Sequence, residues 1–153
     1  MRGALESGNE VEKIRITEKK VSPCSACYYC RDHGGVCVHK DDMADILQKM
    51  VDADVLVLAS PVYFYSVNAQ LKAVIDRFYA NNESLMGKKK AVFLTAMADE
   101  DQKTASGANA SFDLMADYHG WEIVGRLNVG GCSTADDLHE EDLTAAYELG
   151  KNL

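Results

Sequence analysis

The stretch Val55-Leu56-Val57-Leu58-Ala59-Ser60-Pro61-Val62-Tyr63-Phe64-Tyr65 decides the fold. Five apolar residues in an unbroken run predict a parallel strand covered on both faces, because a half-covered strand would alternate apolar with polar positions. Pro61 has no N–H to donate and predicts the strand's end. The aromatic residues Tyr63, Phe64 and Tyr65 then fall on a loop just beyond it.

Helical patterns flank this strand. Upstream, Asp41 or Asp42 is placed to cap a helix in which Met43, Ile46, Leu47, Met50 and Val51 make one apolar stripe. Downstream, Ser66 is the expected cap of a helix with Val67, Leu71, Val74, Ile75 and Phe78 on one face. A second strand is read at Ala91 to Thr95. A helix follows from about Ala105 to Tyr118, with Phe112, Leu114 and Met115 inward and Gly120 as its stop. Trp121 to Val129 reads as the last strand. Glu140 to Asn152 reads as a final helix carrying Leu143, Ala146, Tyr147 and Leu149. Before all of these, Arg2 to Ser7 looks helical, Gly8-Asn9 resembles a helix stop, and Val11, Ile14 and Ile16 mark a short strand-like segment. Strands alternating with helices predict a parallel α/β sheet, whose ligands bind beyond the carboxyl ends of the strands. Ser60–Tyr65 and Thr95–Asp99 are the segments placed there.

Composition narrows the function classes. A length of 153 residues is that of a single domain, residues 1–153, and 47% hydrophobic content excludes global disorder. Sixteen Lys and Arg against 24 Asp and Glu leave a net charge of −8 with no basic stripe. Lys88-Lys89-Lys90 reads as a solvated turn, so nucleic acid is excluded as a partner. No apolar run approaches a membrane span and the first residues lack a secretory core, so a cytoplasmic location, with reduced thiols, is expected.

Four of the five cysteines, Cys24, Cys27, Cys30 and Cys37, lie in one C-x2-C-x2-C-x6-C run. In a reducing compartment such a run binds metal or does redox chemistry more readily than it forms disulfides. Overlapping C-x2-C steps suit an iron–sulfur core, and the Gly34-Gly35 bend lets Cys37 fold back towards the other three. Zinc, with His33 or His39 replacing a cysteine, and plain unliganded thiols stay open. Cys132 reads as structural, His119 and His139 as solvated groups near helix ends, and Asp76-Arg77 as an ion pair.

Taken together, several of these motifs resemble a known family. They are Pro23-Cys24-x-x-Cys27-x-x-Cys30, Gly35-Val36-Cys37, Asp41-Asp42-Met43, Ser60-Pro61-Val62-Tyr63-Phe64, and Gln70-Leu71-Lys72-Ala73-Val74-Ile75-Asp76-Arg77. They are similar to the flavodoxin-like NAD(P)H-dependent FMN reductases and, among these, to the iron–sulfur flavoproteins. The resemblance spans nearly the whole chain and thins after Met97. It implies a five-stranded parallel sheet with helices on both faces, FMN at the carboxyl edge, and a homo-oligomer. It maps ring contacts onto Ser60, Pro61, Val62, Tyr63, Phe64 and Tyr65, and onto Thr95, Ala96, Met97 and Ala98. It maps the ligands of a [4Fe-4S] cluster onto Cys24, Cys27, Cys30 and Cys37. Flavin chemistry needs no side-chain acid or base, so no catalytic residue is expected.

The chain also departs from that pattern. The family opens on an apolar strand and a Ser/Asn-rich loop that holds the FMN phosphate, whereas Met1–Gly8 resembles the second half of the helix after that loop. Without that strand, Val11–Ile16 and Val55–Ala59 are expected to pair directly, to share an edge between subunits, or to belong to a longer natural protein. FMN affinity is expected to be weak without the phosphate site. The leading expectation is an oxidoreductase moving electrons from NAD(P)H or ferredoxin through FMN, and through a [4Fe-4S] cluster, to an acceptor. An electron carrier between protein partners is the second reading. A non-enzymatic metal-binding remnant unable to hold FMN is the third.

Overall fold

A computed structural model describes residues 1–153. In chain order its elements are α1 (Arg2–Glu6), α2 (Tyr29–Asp32), α3 (Met43–Asp52), β1 (Val55–Tyr63), β2 (Ser66–Val67), α4 (Ala69–Asp76), α5 (Asn82–Leu85), β3 (Lys90–Ala96), α6 (Ser106–His119), β4 (Glu122–Val129) and α7 (Glu140–Lys151). The sheet runs β2-β1-β3-β4. β1, β3 and β4 are parallel, with Leu58 opposite Phe93 and Phe93 opposite Arg126. β2 is antiparallel to the end of β1. This is a flavodoxin-like α/β fold with four strands, one of them a two-residue hairpin arm.

The core lies on one face of the sheet. Leu56, Leu58, Ala91 and Phe93 meet Met43, Ile46, Leu47 and Met50 of α3, Leu71 and Val74 of α4, and Ala108, Phe112 and Ala116 of α6. Phe93 and Phe112 stack with centroids 4.7 Å apart. The expected double cover of β1 is corrected by the structure. Leu56 and Leu58 are buried, but Val57 is 47% exposed and Ala59 is exposed too. On the second face α7 covers β4, where Leu149 lies over Gly125, and α1 packs on α7 rather than across β1.

Other local expectations shift for stated reasons. β1 runs on through Pro61, which pairs with Ala96; β1 borders the parallel ladder there, the position where a sheet tolerates proline. Asn68, not Ser66, caps α4 by accepting the Leu71 N–H at 3.0 Å. Leu114 is 71% exposed because it lies about 200° round α6 from buried Phe112, while Met115 packs on the core. Leu143 is half exposed, on the outer side of α7. Lys89 is no solvated turn residue, because its Nζ donates to the carbonyls of Val51 and Ala53 at the end of α3.

Val11–Ile16 is not a strand. It runs partly buried, with Ile14 and Ile16 against the core, and makes no ladder with β1. Direct pairing of the two segments is thereby overturned: β1 meets only the short β2 on that side, at Val62 and Tyr63. A strand exists through its hydrogen-bonded neighbour, and sequence pattern alone cannot supply one.

Candidate functional site

The aromatic segment forms a hairpin turn at the carboxyl end of β1. Val62 pairs with Val67 and Tyr63 with Ser66, leaving Phe64 and Tyr65 as the two turn residues. Both have positive φ, 49° and 65°. Two-residue hairpins of this type need positive φ at both positions and normally use Asn and Gly. Here two large aromatics are held there instead. Tyr63 is 60% exposed, Phe64 97% and Tyr65 62%.

Beneath them the rim is fixed. Ser60 is buried, its hydroxyl donating to the Pro61 carbonyl at 2.8 Å and accepting the Asn68 N–H at 2.9 Å. Gly107 of α6 sits against the Tyr65 carbonyl so closely that a Cβ would collide with it. The adjacent segment Thr95–Ala98 is fixed in the same way. Thr95 is buried and donates to Asn128 Oδ1 at 2.7 Å. The Met97 N–H reaches the Val129 carbonyl at 2.9 Å, and the Cys132 N–H reaches the Met97 carbonyl at 2.8 Å. Met97 is buried and Ala98 exposed, with Pro61, Val62 and Ala96 half-buried. The ten expected ring residues therefore divide into a fixed base and an exposed aromatic edge. Asn68 and Asn128 complete that base. Asn68 was legible as an Asn before an apolar helix, whereas Asn128 gave no local signal.

The cysteine run forms a loop against the far end of α4. Gly35, at φ 83°, lies where a Cβ would come within 2.7 Å of the Ala80 carbonyl oxygen. Tyr28 meets Tyr79 edge-on at 6.2 Å. Cys24 and Cys27 are exposed, Cys30 and Cys37 half-buried. The Cys27 thiol is held below its ordinary pKa by the Tyr29 N–H and then by the Ser25 hydroxyl. Arg77 does not pair with its neighbour Asp76, since adjacent helical residues do not face each other. Asp76 bonds Lys72, while the buried Arg77 forks onto Asp41 at 2.9 and 3.1 Å. Burial raises the Asp41 carboxyl, but Arg77 and the N–H groups of Ser22 and Met43 outweigh it and hold the pKa at about 2.

Rim and sulfur loop thus occupy opposite ends of α4. Between Asn68 and Arg77 the eight residues of α4 rise about 12 Å. His119, expected to be solvated, is buried between the Met115 carbonyl and Asn82 and stacks on Trp121 at 4.6 Å. Cys132 is half-buried and its thiol donates to the Thr134 carbonyl. One cavity, about 340 Å³, is lined almost wholly by charged side chains such as Glu12, Arg15 and Lys49, a poor wall for a flat apolar ring.

The model of the NADPH-dependent FMN reductases matches residues 1–132. The chain belongs to that family. An iron–sulfur flavoprotein of Archaeoglobus fulgidus is 33% identical over 151 residues, 96% of this chain and 66% of that protein. An iron–sulfur flavoprotein of Methanocaldococcus jannaschii is 46% identical over 72 residues, 47% of this chain and 37% of that one. The chain therefore spans less than two thirds of the length of these curated relatives. Among solved structures, the NAD(P)H:quinone oxidoreductase from Methanothermobacter marburgensis superposes with a TM-score of 0.74 at 20% identity, over 98% of this chain and 82% of its own. A flavone reductase gives 0.76 at 18% identity, over 99% and 53%. At these identities the likeness establishes the fold. No helix is long and apolar enough to cross a membrane.

The residues of this FMN reductase family member can be weighed against the groups its relatives imply. The isoalloxazine ring is flat and apolar with polar edges, and the rim offers three exposed aromatics over a fixed base, so the rim fits it. Four soft thiols in one glycine-bent loop fit an iron–sulfur core by donor chemistry. No three potential ligands of the loop converge on a metal-sized point.

Proposed function

We propose that the chain is an FMN-dependent oxidoreductase, with NAD(P)H or ferredoxin as electron donor and the Tyr63-Phe64-Tyr65 rim as its ring platform. One observation carries this reading: Phe64 is 97% exposed while held, with Tyr65, at positive φ. Leaving a phenylalanine in water forgoes roughly 1.5–3 kcal/mol of burial, and each non-glycine residue in that backbone region costs on the order of 1–3 kcal/mol. Such a double cost is tolerated where the turn is used. FMN bound there supplies reversible one- and two-electron chemistry. The protein's part is placement. Ser60 and Asn68 hold the turn, Thr95 and Asn128 hold the facing segment, and the aromatics exclude water from one side of the ring.

Cys24, Cys27, Cys30 and Cys37 are proposed to hold a [4Fe-4S] cluster, which supplies one-electron transfer. The roughly 12 Å length of α4 between loop and rim also favours a second reading, an electron carrier serving protein partners. Rapid NADPH oxidation with a free quinone supports the reductase; turnover only with ferredoxin supports the carrier.

FMN titration, read by fluorescence quenching, tests the platform. Phe64→Ala should weaken FMN about tenfold, the value of one aromatic stacking contact. Equal affinity in the wild type and the variant removes Phe64 from the site. Iron and labile sulfide measured on protein purified without oxygen test the cluster, and zinc in their place would replace it.

A further inference from the structure

The sulfur loop carries a charge opposite to that of the rest of the chain. Residues 19–40 hold four Lys and Arg against one Asp, a net charge of +3, while the other 131 residues hold 12 against 23, a net charge of −11. The two carboxylates that close the neck of the loop are engaged within it. Asp41 takes the fork of Arg77 and the Ser22 N–H. Asp42 accepts the Lys20 N–H at 2.7 Å, and its own N–H returns to the Lys20 carbonyl at 3.0 Å. Lys19, Lys20 and Lys40 are exposed and enter no ion pair. Arg31 has only its exposed neighbour Asp32, at 3.1 Å, a pair that water screens.

The same loop leaves apolar surface in water. Tyr28, Tyr29, Val36 and Val38 are exposed, and Tyr79, from the turn after α4, adds its ring. Tyr28 is held in place: its ring meets Tyr79 edge-on at 6.2 Å, and the Arg31 guanidinium stands over it at 5.3 Å. The exposed Cys24 and Cys27 immediately precede it. A fixed aromatic centre among long cationic side chains is the build of a small transient protein contact, in which rings pack and charges steer. Nucleic acid fits this surface poorly. Four cations neutralise few phosphates, and a long phosphate backbone would run on over the acidic remainder of the chain. An acidic face on a partner protein meets the loop alone.

We propose that this face of the sulfur loop, centred on Tyr28 and Tyr79 and ringed by Lys19, Lys20, Arg31 and Lys40, docks an acidic protein that carries one electron at a time. This rests on the reading of the four cysteines as cluster ligands. The exchange it serves is a single electron between the partner's redox centre and the core held by the loop. One is oxidised and the other reduced, with no bond made or broken and no proton moved. The cations speed the encounter, and the paired rings give the contact its register.

Calorimetric titration of the full chain, purified without oxygen, with a bacterial ferredoxin as the acidic carrier tests the proposal. Binding is expected at low salt and should weaken several-fold when salt is raised to about 0.15 M. Arg31→Glu combined with Lys40→Glu should weaken it about tenfold or more. Tyr28→Asn should weaken it by about threefold to tenfold, and asparagine tolerates the left-handed backbone at that position, where φ is 56°. Lys88→Glu combined with Lys90→Glu makes the same change in net charge away from the loop and should stay within about twofold of the wild type. Absence of binding overturns the proposal. So does equal weakening by the two charge-reversed pairs, or an affinity that none of the loop variants moves. Loss of self-association in sedimentation of the Arg31 and Lys40 variant would also overturn it, by making this face a contact between copies. Iron measured on the same protein keeps the two readings apart. Without iron the cluster reading fails, while the titration still decides the docking face.

Discussion

The two ends of α4 carry two differently built regions, the proposed ring platform and the proposed cluster loop. At the Asn68 end, the rim stands on a strand ladder, a hairpin and a glycine contact from α6, so its strained aromatics are set before anything binds. At the Arg77 end, the sulfur loop is tied where it leaves and rejoins the domain and touches it at Gly35 and Tyr28, and no three of its sulfurs gather on one point. The difference fits what each is proposed to hold. A flat ring needs a rigid wall in advance, whereas an inorganic core can fold its own loop around itself.

The comparison breaks most directly at the beam between the two sites. Leu71 is 6% exposed in α4, and Leu71→Ala should cost about 2–5 kcal/mol in urea unfolding. Hydrogen exchange should rise at both ends of α4; a rise at one end alone would show that they are mechanically independent. Acid should weaken the loop end through Asp41. Asp41 has its folded pKa depressed to about 2 from 3.8. Its contribution is therefore fully present above pH 3.8 and lost as pH falls towards 2, about 2 kcal/mol in all. Denaturant melts between pH 6 and pH 2.5 should show that loss in the wild type, and Asp41→Asn should lack it.

At the rim the sign reverses. Phe64→Gly relieves a positive-φ phenylalanine and should raise stability by up to about 1 kcal/mol while weakening FMN about tenfold. A destabilised Phe64→Gly would mean the aromatic is there for packing. The smallest effect is expected between the two sites, on the uncovered face of β1. Val57→Lys should change stability by less than about 0.5 kcal/mol, because Val57 is already 47% exposed. A large loss would show that something covers this face in solution.

Legibility in the sequence followed the range of the interaction. Helices α3, α4 and α6 and the three parallel strands were readable because apolar periodicity is local, as was the Gly120 stop. The family was readable because its motifs are contiguous. Pairings were not. Arg77 reaches a carboxylate 36 positions away rather than the one beside it, and Thr95 meets Asn128 across the ladder. Val11–Ile16 has the composition of a strand and lacks a neighbour to make it one.

By itself the sequence determined the α/β order of elements, the aromatic rim after β1, the thiol-rich loop and membership of the FMN reductase family. The tertiary structure alone decided that the hydroxyls of Ser60 and Thr95 are internal ties rather than free contacts, that β1 is covered on one face, and that rim and sulfur loop stand at opposite ends of one helix. The reason is physical. Side-chain type and spacing act along the chain, while hydrogen-bond partners and burial are set by segments that the chain brings together only when it folds.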